Sequence, residues 1–163
     1  MPTNPQRKNV VGDNYVLDTY ALQAFLASEA GADAVEHLLR TAAEGRTKLF
    51  VSWVSLAEIY YVTYRKSVAE DREVQAKATV EGLKRLAVTI VPAGEVETLK
   101  AGHLKARFTL SLADAFVAAL GQIHDAQVVT GDPEFKPLEE AHEIRVLWLP
   151  EKAKTGTRSH LAQ

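Results

Sequence analysis

Short runs of β-branched and aliphatic residues alternate along this chain with longer stretches whose apolar positions recur every three to four residues. The short runs are NYVLDT (14–19), TKLFVS (47–52), AVTIVP (87–92), AQVVTGD (126–132) and EIRVLWLP (143–150). Each is apolar for only a few residues and is stopped by Asp, Ser, Pro or Gly, the pattern of a buried strand. Between them lie helical patterns. TYALQAFLASE places Leu22, Phe25 and Leu26 at helical spacing, and GADAVEHLLRTAAEG places Val35, Leu38 and Leu39 on one face with a Gly at each end. SWVSLAEIYYVTYRKS is amphipathic with Ser52 as its N-cap, and the charged stretch from Glu70 to Leu86 carries few large apolar groups. GEVETLKAGHLKARF has a face set by Val96, Leu99 and Leu104, whereas SLADAFVAALGQIHD is the most apolar helix, with Ser111 and Asp114 spaced as a capping box.

Strands that are apolar throughout and separated by helices predict an α/β fold of three layers, a central, mainly parallel sheet flanked by helices. In such sheets ligands sit beyond the carboxyl ends of the strands. Residues 14–150 carry the pattern. The polar arm 1–13, with two prolines, and the tail 151–163 are expected to be flexible and to add nothing to the core. No internal repeat or low-complexity tract divides the chain.

Composition narrows the chemistry. At 163 residues the chain is long enough for one sizeable core, and its 47% hydrophobic and 25% charged residues are ordinary for a globular domain. Apolar stretches fall well short of a membrane span, and nothing has the build of an export signal. With no cysteine, disulfides, thiolate metal sites and cysteine nucleophiles are excluded, and a cytoplasmic location is expected. The formal net charge of −2 gives no bulk attraction for nucleic acid.

Four acidic residues stand in apolar surroundings. Asp18 ends the first strand pattern and Asp132 ends the fourth, so both face the same edge of a parallel sheet. Glu58 lies between Ala57 and Ile59, with Leu56, Tyr60 and Val62 close by; Asp114 lies between Ala113 and Ala115 in the first turn of the most apolar helix. Shielded carboxylates gathered together raise one another's pKa and are costly unless a cation compensates. Mg²⁺ or Mn²⁺ with its preference for oxygen ligands is the natural partner. Each residue also has a local explanation. Asp18 and Asp132 suit helix N-caps, Asp114 suits the capping box or the helix dipole, and Glu58 suits a narrow solvent-facing stripe.

The segments YVLDTYAL, VSWVSLAEIYY, LSLADAFVAAL and VVTGDPEF, in this order and at this approximate spacing, resemble the PIN-domain ribonucleases and in particular the VapC-type toxins of toxin–antitoxin pairs. The resemblance spans roughly residues 14 to 149. It implies a PIN-like fold and an acidic pocket in which Asp18, Glu58, Asp114 and Asp132 hold Mg²⁺ or Mn²⁺. Thr19 matches the hydroxyl residue that often follows the first Asp, and Thr130 matches a hydroxyl residue that steadies a carboxylate or a water. Glu134 falls where many relatives carry a further acid. The resemblance also implies an RNA substrate, a cognate antitoxin protein and a homodimer.

The activity to be expected is metal-dependent hydrolysis of RNA phosphodiester bonds. Candidate phosphate contacts are Arg65, Lys66, Lys100, His103, Lys105 and Arg107, and Tyr60, Tyr61 and Tyr64 are candidate stacking or packing groups; for each, a solvated or packed surface role is the alternative. Two rival readings remain at this stage. One is a non-catalytic module of the same fold whose acidic pocket binds a partner protein. The other is a phosphoacceptor receiver domain, which needs paired acids at the first strand's end and a Lys at a later one, whereas here Asp18 stands alone and the late strand ends in TGD.

Overall fold

The computed structural model describes residues 13–151. Nearly all of the arm 1–13 and of the tail 151–163 lies outside the described residues. Five strands form one sheet, every pairing parallel: β1 (Asn14–Leu17), β2 (Lys48–Ser52), β3 (Thr89–Val91), β4 (Gln127–Thr130) and β5 (Arg145–Trp148), in the order β3-β2-β1-β4-β5. The helices are α1 (Thr19–Leu26), α2 (Ala32–Ala43), α3 (Trp53–Lys66), α4 (Arg72–Lys84), α5 (Glu95–Arg107), α6 (Leu112–Ile123) and α7 (Lys136–Glu140), the last preceded by a 3₁₀ turn at Pro133–Phe135. The predicted α/β architecture is therefore present. No described helix is long and apolar enough to cross a membrane.

The period-two alternation of the strands divides the core into two halves. Val16, Phe50 and Val128 face a cluster completed by α5, α6, the 3₁₀ turn and α7, including Leu104, Phe116, Leu120, Phe135 and Leu138. Their neighbours Leu17, Leu49, Val51 and Val129 face the opposite cluster, with Leu22, Val35, Leu38, Leu56 and Ile59 from α1, α2 and α3. Both faces of the sheet are covered, which is why the central strands read as continuous apolar runs.

The helix starts follow the local sequence. Asp18, Ser52 and Ser111 are extended N-cap residues whose side chains accept from Ala21 N, Val54 N and Asp114 N. Gly31 opens α2 with φ of 94° and lies against Leu149, a backbone conformation that suits glycine. The most apolar pattern becomes α6, in which Ala113 and every residue from Ala115 to Gly121 are buried. Gly121 allows a close approach to the sheet, since a Cβ there would stand 3.2 Å from Val128 Cγ2 and 3.3 Å from the Ala126 carbonyl oxygen.

One predicted face differs. Of Val96, Leu99 and Leu104 only Leu104 is buried; Val96 is 63% exposed and Leu99 67% exposed. α5 turns Ala101 and Leu104 inward, with Phe108 partly buried just beyond its end. The small residues of α6 accept this thinner stripe, and the larger side chains of α5 are left on the far side. Leu26 likewise ends 44% exposed, whereas Leu22 is buried.

Candidate active site

The strand order reverses direction between β1 and β4, the switch point at which open α/β sheets form their binding crevice. Asp18 directly follows β1 and Asp132 follows β4 by one residue. A cavity of about 270 Å³ opens there, lined by Asp18, Thr19, Tyr20, Gln23, Glu58, Ser111, Asp114, Asp132 and Glu134. Five carboxylates from four parts of the chain thus share one space, and no Lys, Arg or His among the described residues lines it.

Hydrogen bonds hold four of these acids in place. Asp18 is 1% exposed. Its Oδ1 accepts from the Ala21 N–H at 2.7 Å, and its Oδ2 accepts from the Thr130 hydroxyl. Thr130 in turn accepts from the Asp132 N–H at 2.9 Å, so one buried hydroxyl links the ends of the two central strands. Asp132 Oδ1 accepts from Glu134 N at 2.9 Å, which starts the 3₁₀ turn and leaves the second oxygen for the cavity. Glu58 Oε2 accepts from the Thr19 hydroxyl at 2.6 Å, fixing α3 to α1 at the cavity wall. Asp114 Oδ2 accepts from the Ser111 hydroxyl at 2.7 Å, and the same hydroxyl accepts from Asp114 N at 3.0 Å. The predicted capping box is therefore only half formed: Ser111 caps the helix, but the acid answers through the serine hydroxyl.

Electrostatics follow from this crowding. Burial pushes the Asp18 carboxyl up to about 7; the Thr130 and Ala21 hydrogen bonds oppose the rise, and the nearby Asp114 and Asp132 charges add to it. Asp114 is pushed up to about 6, again mainly by burial, with Ser111 opposing and Asp132, Glu58 and Glu134 adding repulsion. Carboxyl oxygens of Asp114, Asp132 and Glu134 lie within 4.8 Å of one another. An all-oxygen set of this kind suits a hard divalent cation, with waters filling the remaining positions.

All four predicted acids, together with Thr19, reach the cavity, and Thr130 supports it from beneath. The sequence reading did not place Glu134 among the metal-holding acids, although it belongs to the tightest trio. The signal was its position two residues after Asp132, where the Pro133 turn brings both side chains to one side. Tyr20 and Gln23 line the cavity as well, and their spacing on α1 puts them on the face that Asp18 begins. The candidate phosphate contacts have a different fate. None lines the cavity. Arg65 donates to the Tyr61 hydroxyl at 2.6 Å, Lys105 donates to the Leu110 carbonyl at 2.8 Å, and Arg107 pairs with Glu143 at 2.5 Å. Lys66 borders a separate groove between α1 and α3. Tyr60 and Tyr64 stack on each other with centroids 6.3 Å apart.

The strand order also separates the chain from receiver domains, whose central order is 2-1-3-4-5. Among solved structures, the chain is similar to VapBC2 from Rickettsia felis bound to a DNA fragment from its promoter (TM-score 0.63, 17% identity, 84% of this chain and 99% of that one). DNA-bound VapBC from Salmonella typhimurium is similar to the same degree (TM-score 0.63, 18% identity, 83% and 97%). The Mycobacterium tuberculosis toxin VapC20, which cleaves the sarcin–ricin loop, is also similar (TM-score 0.58, 17% identity, 76% and 93%). At these identities the likeness speaks for the fold. No curated protein matches the chain in sequence. The PIN domain family matches residues 15–141, most of the described domain, and with the fold and the acidic cavity in agreement the chain belongs to the PIN domain family.

Proposed function

We propose that this protein is a metal-dependent endoribonuclease and the toxin of a toxin–antitoxin pair. The observation that carries the reading is the gathering of Asp18, Glu58, Asp114, Asp132 and Glu134 around one cavity without a cation among its described lining residues. Such a cavity repels a phosphodiester unless a divalent ion occupies it. Membership of the PIN domain family supports nuclease chemistry. Similarity to VapBC complexes and to a toxin that cleaves the sarcin–ricin loop supports an RNA target and an antitoxin partner.

Asp114, Asp132 and Glu134 would hold Mg²⁺ or Mn²⁺, with Asp18 and Glu58 at the same cavity as direct or water-linked ligands. A divalent ion there supplies Lewis acidity, which acidifies water and offsets phosphate charge as the transition state forms. The chain's own residues do the positioning. Thr130 locks Asp18 and the backbone of Asp132 in one arrangement, Ser111 orients Asp114, and Thr19 orients Glu58. Asp114 and Glu58, each held at one oxygen by a hydroxyl, present the other oxygen without a search through rotamers, while Asp18 is held at both.

The test is cleavage of single-stranded and structured RNA by the purified protein with Mn²⁺, Mg²⁺ or EDTA, beside calorimetric titration of Mn²⁺. EDTA is expected to abolish cleavage. Asp114→Asn is expected to lower the rate at least a hundredfold and to weaken Mn²⁺ binding while the fold persists. Full-rate cleavage in EDTA, or by Asp114→Asn, overturns the reading. Metal uptake without hydrolysis of any RNA favours the partner-binding module instead.

A further inference from the structure

An aromatic ring is built into the wall of the acidic cavity, and nothing in the metal chemistry calls for it. Tyr20, two residues after Asp18 in the first turn of α1, lines the cavity beside the carboxylates. Two features pin it there. Its hydroxyl donates to the Pro150 carbonyl at 2.8 Å, just beyond β5. Its ring also packs onto the backbone of Gly131, between Thr130 and Asp132. A Cβ at Gly131 would stand 2.5 Å from Tyr20 Cζ and 2.8 Å from Oη, so no other residue fits there with the ring in this position. The absence of a side chain at Gly131 is what lets the ring reach across the end of β4, and the Pro150 bond keeps it there. The ring is only partly buried.

We propose that Tyr20 is a substrate-contacting residue on which a nucleobase flanking the scissile phosphate stacks. The inference rests on the nuclease reading for its substrate, but on separate residues. A phosphodiester at the acidic cavity carries its bases beside it, and Tyr20 stands in the wall next to Asp18. Every base has a π-face, so an aromatic side chain there holds single-stranded nucleic acid with modest sequence preference. The ring also gives an acidic cavity a means of holding RNA that does not depend on cationic side chains. A ring held at its hydroxyl and packed against Gly131 loses little freedom when a base lands on it.

The experiment uses the full chain and a short single-stranded RNA containing 2-aminopurine, whose fluorescence falls when the base stacks on an aromatic ring. Binding is followed with Ca²⁺ in the wild-type protein and, in the Asp114→Asn background, with Mn²⁺ raised until calorimetry shows the site saturated. Quenching is expected in both, to be lost in Tyr20→Leu and Tyr20→Met, and to be restored in Tyr20→Phe, which keeps the ring without the Pro150 bond. Two ring-less variants guard against one that fails to fold, and a thermal melt reports the fold of each. In the cleavage assay the ring-less variants are expected to raise KM about tenfold with a smaller change in kcat, and to leave calorimetric Mn²⁺ affinity within twofold. Equal quenching with and without the ring, or no quenching at all, overturns the proposal. Quenching that depends on Tyr20 in a protein that cleaves no RNA supports the stacking site and overturns the nuclease reading, so the two fail separately.

Discussion

Hydroxyl groups govern the behaviour of the candidate site at the scale of single residues. Thr130 is fully buried and serves two acids, donating to Asp18 and accepting from the Asp132 backbone. Thr130→Val keeps the shape and removes both bonds, leaving a buried carboxylate and a backbone N–H short of partners. The expected cost is about 1–3 kcal/mol in urea denaturation, with Mn²⁺ affinity reduced about tenfold or more because Asp18 loses its orientation. Asp18 and Asp114 also make stability depend on pH. Both pKa values are raised in the folded state, to about 7 and about 6, above the ordinary aspartate value near 3.8. The folded state therefore binds more protons than the unfolded chain between roughly pH 4 and pH 7. Their contribution is fully present below the unfolded pKa and is lost as pH rises through the folded one. In EDTA, Asp18→Asn is expected to gain on the wild-type protein from pH 4 to about pH 7 and then to hold that gain. Parallel stability curves for the two proteins across that range would count against this assignment.

At the scale of elements, the close seating of α6 on the sheet decides where Asp114 lies. Eight buried residues, half of them alanine, bring α6 against β1, β2 and β4, and Gly121 lies close against the sheet. Gly121→Val adds atoms where a Cβ already meets Val128 and the Ala126 carbonyl. The helix must tilt or shift, at an expected cost of about 1–3 kcal/mol by thermal or chemical denaturation. Because Asp114 stands at the other end of the same helix, Mn²⁺ affinity is expected to fall as well. By contrast Leu99→Ala, on the exposed face of α5, is expected to change monomer stability by no more than about 0.5 kcal/mol, a direct check on which face of α5 is inward.

For the molecule as a whole, the site is the place where folding brings like charges together. A cation that binds only the folded state stabilises it by mass action, about 2.7 kcal/mol at a hundredfold excess over its Kd. For a domain of this size that corresponds to a rise in Tm of roughly 5–10 °C. Mn²⁺ competes with protons for Asp18 and Asp114, so the rise is expected to be larger at pH 8 than at pH 5.5. A melt that Mn²⁺ leaves unmoved at pH 8 would leave the acidic cavity without its proposed counter-charge.

The sequence alone determined what depends on neighbours within a turn or two. The strand runs, the helix spacings, the caps at Asp18, Ser52, Ser111 and Asp132, and the two-sided burial of the sheet were all legible because period and capping are local. Four of the five cavity acids were legible too, since each stands at a strand end or on an apolar helix where water alone would not explain it. Tertiary structure decided the rest. Thr130 and Asp18 are 112 positions apart, and only the pairing of β1 with β4 makes them partners. The full role of Glu134 depends on α6 delivering Asp114 opposite the Pro133 turn. The wall formed by Tyr20 depends on Gly131 and Pro150 from the other end of the chain. The inward face of α5 was misread because an alanine-rich neighbour buries small side chains as readily as large ones, and hydrophobicity by itself does not say which face a helix partner selects. Spacing fixes what a residue is able to do beside its neighbours; contact across the fold fixes what it meets.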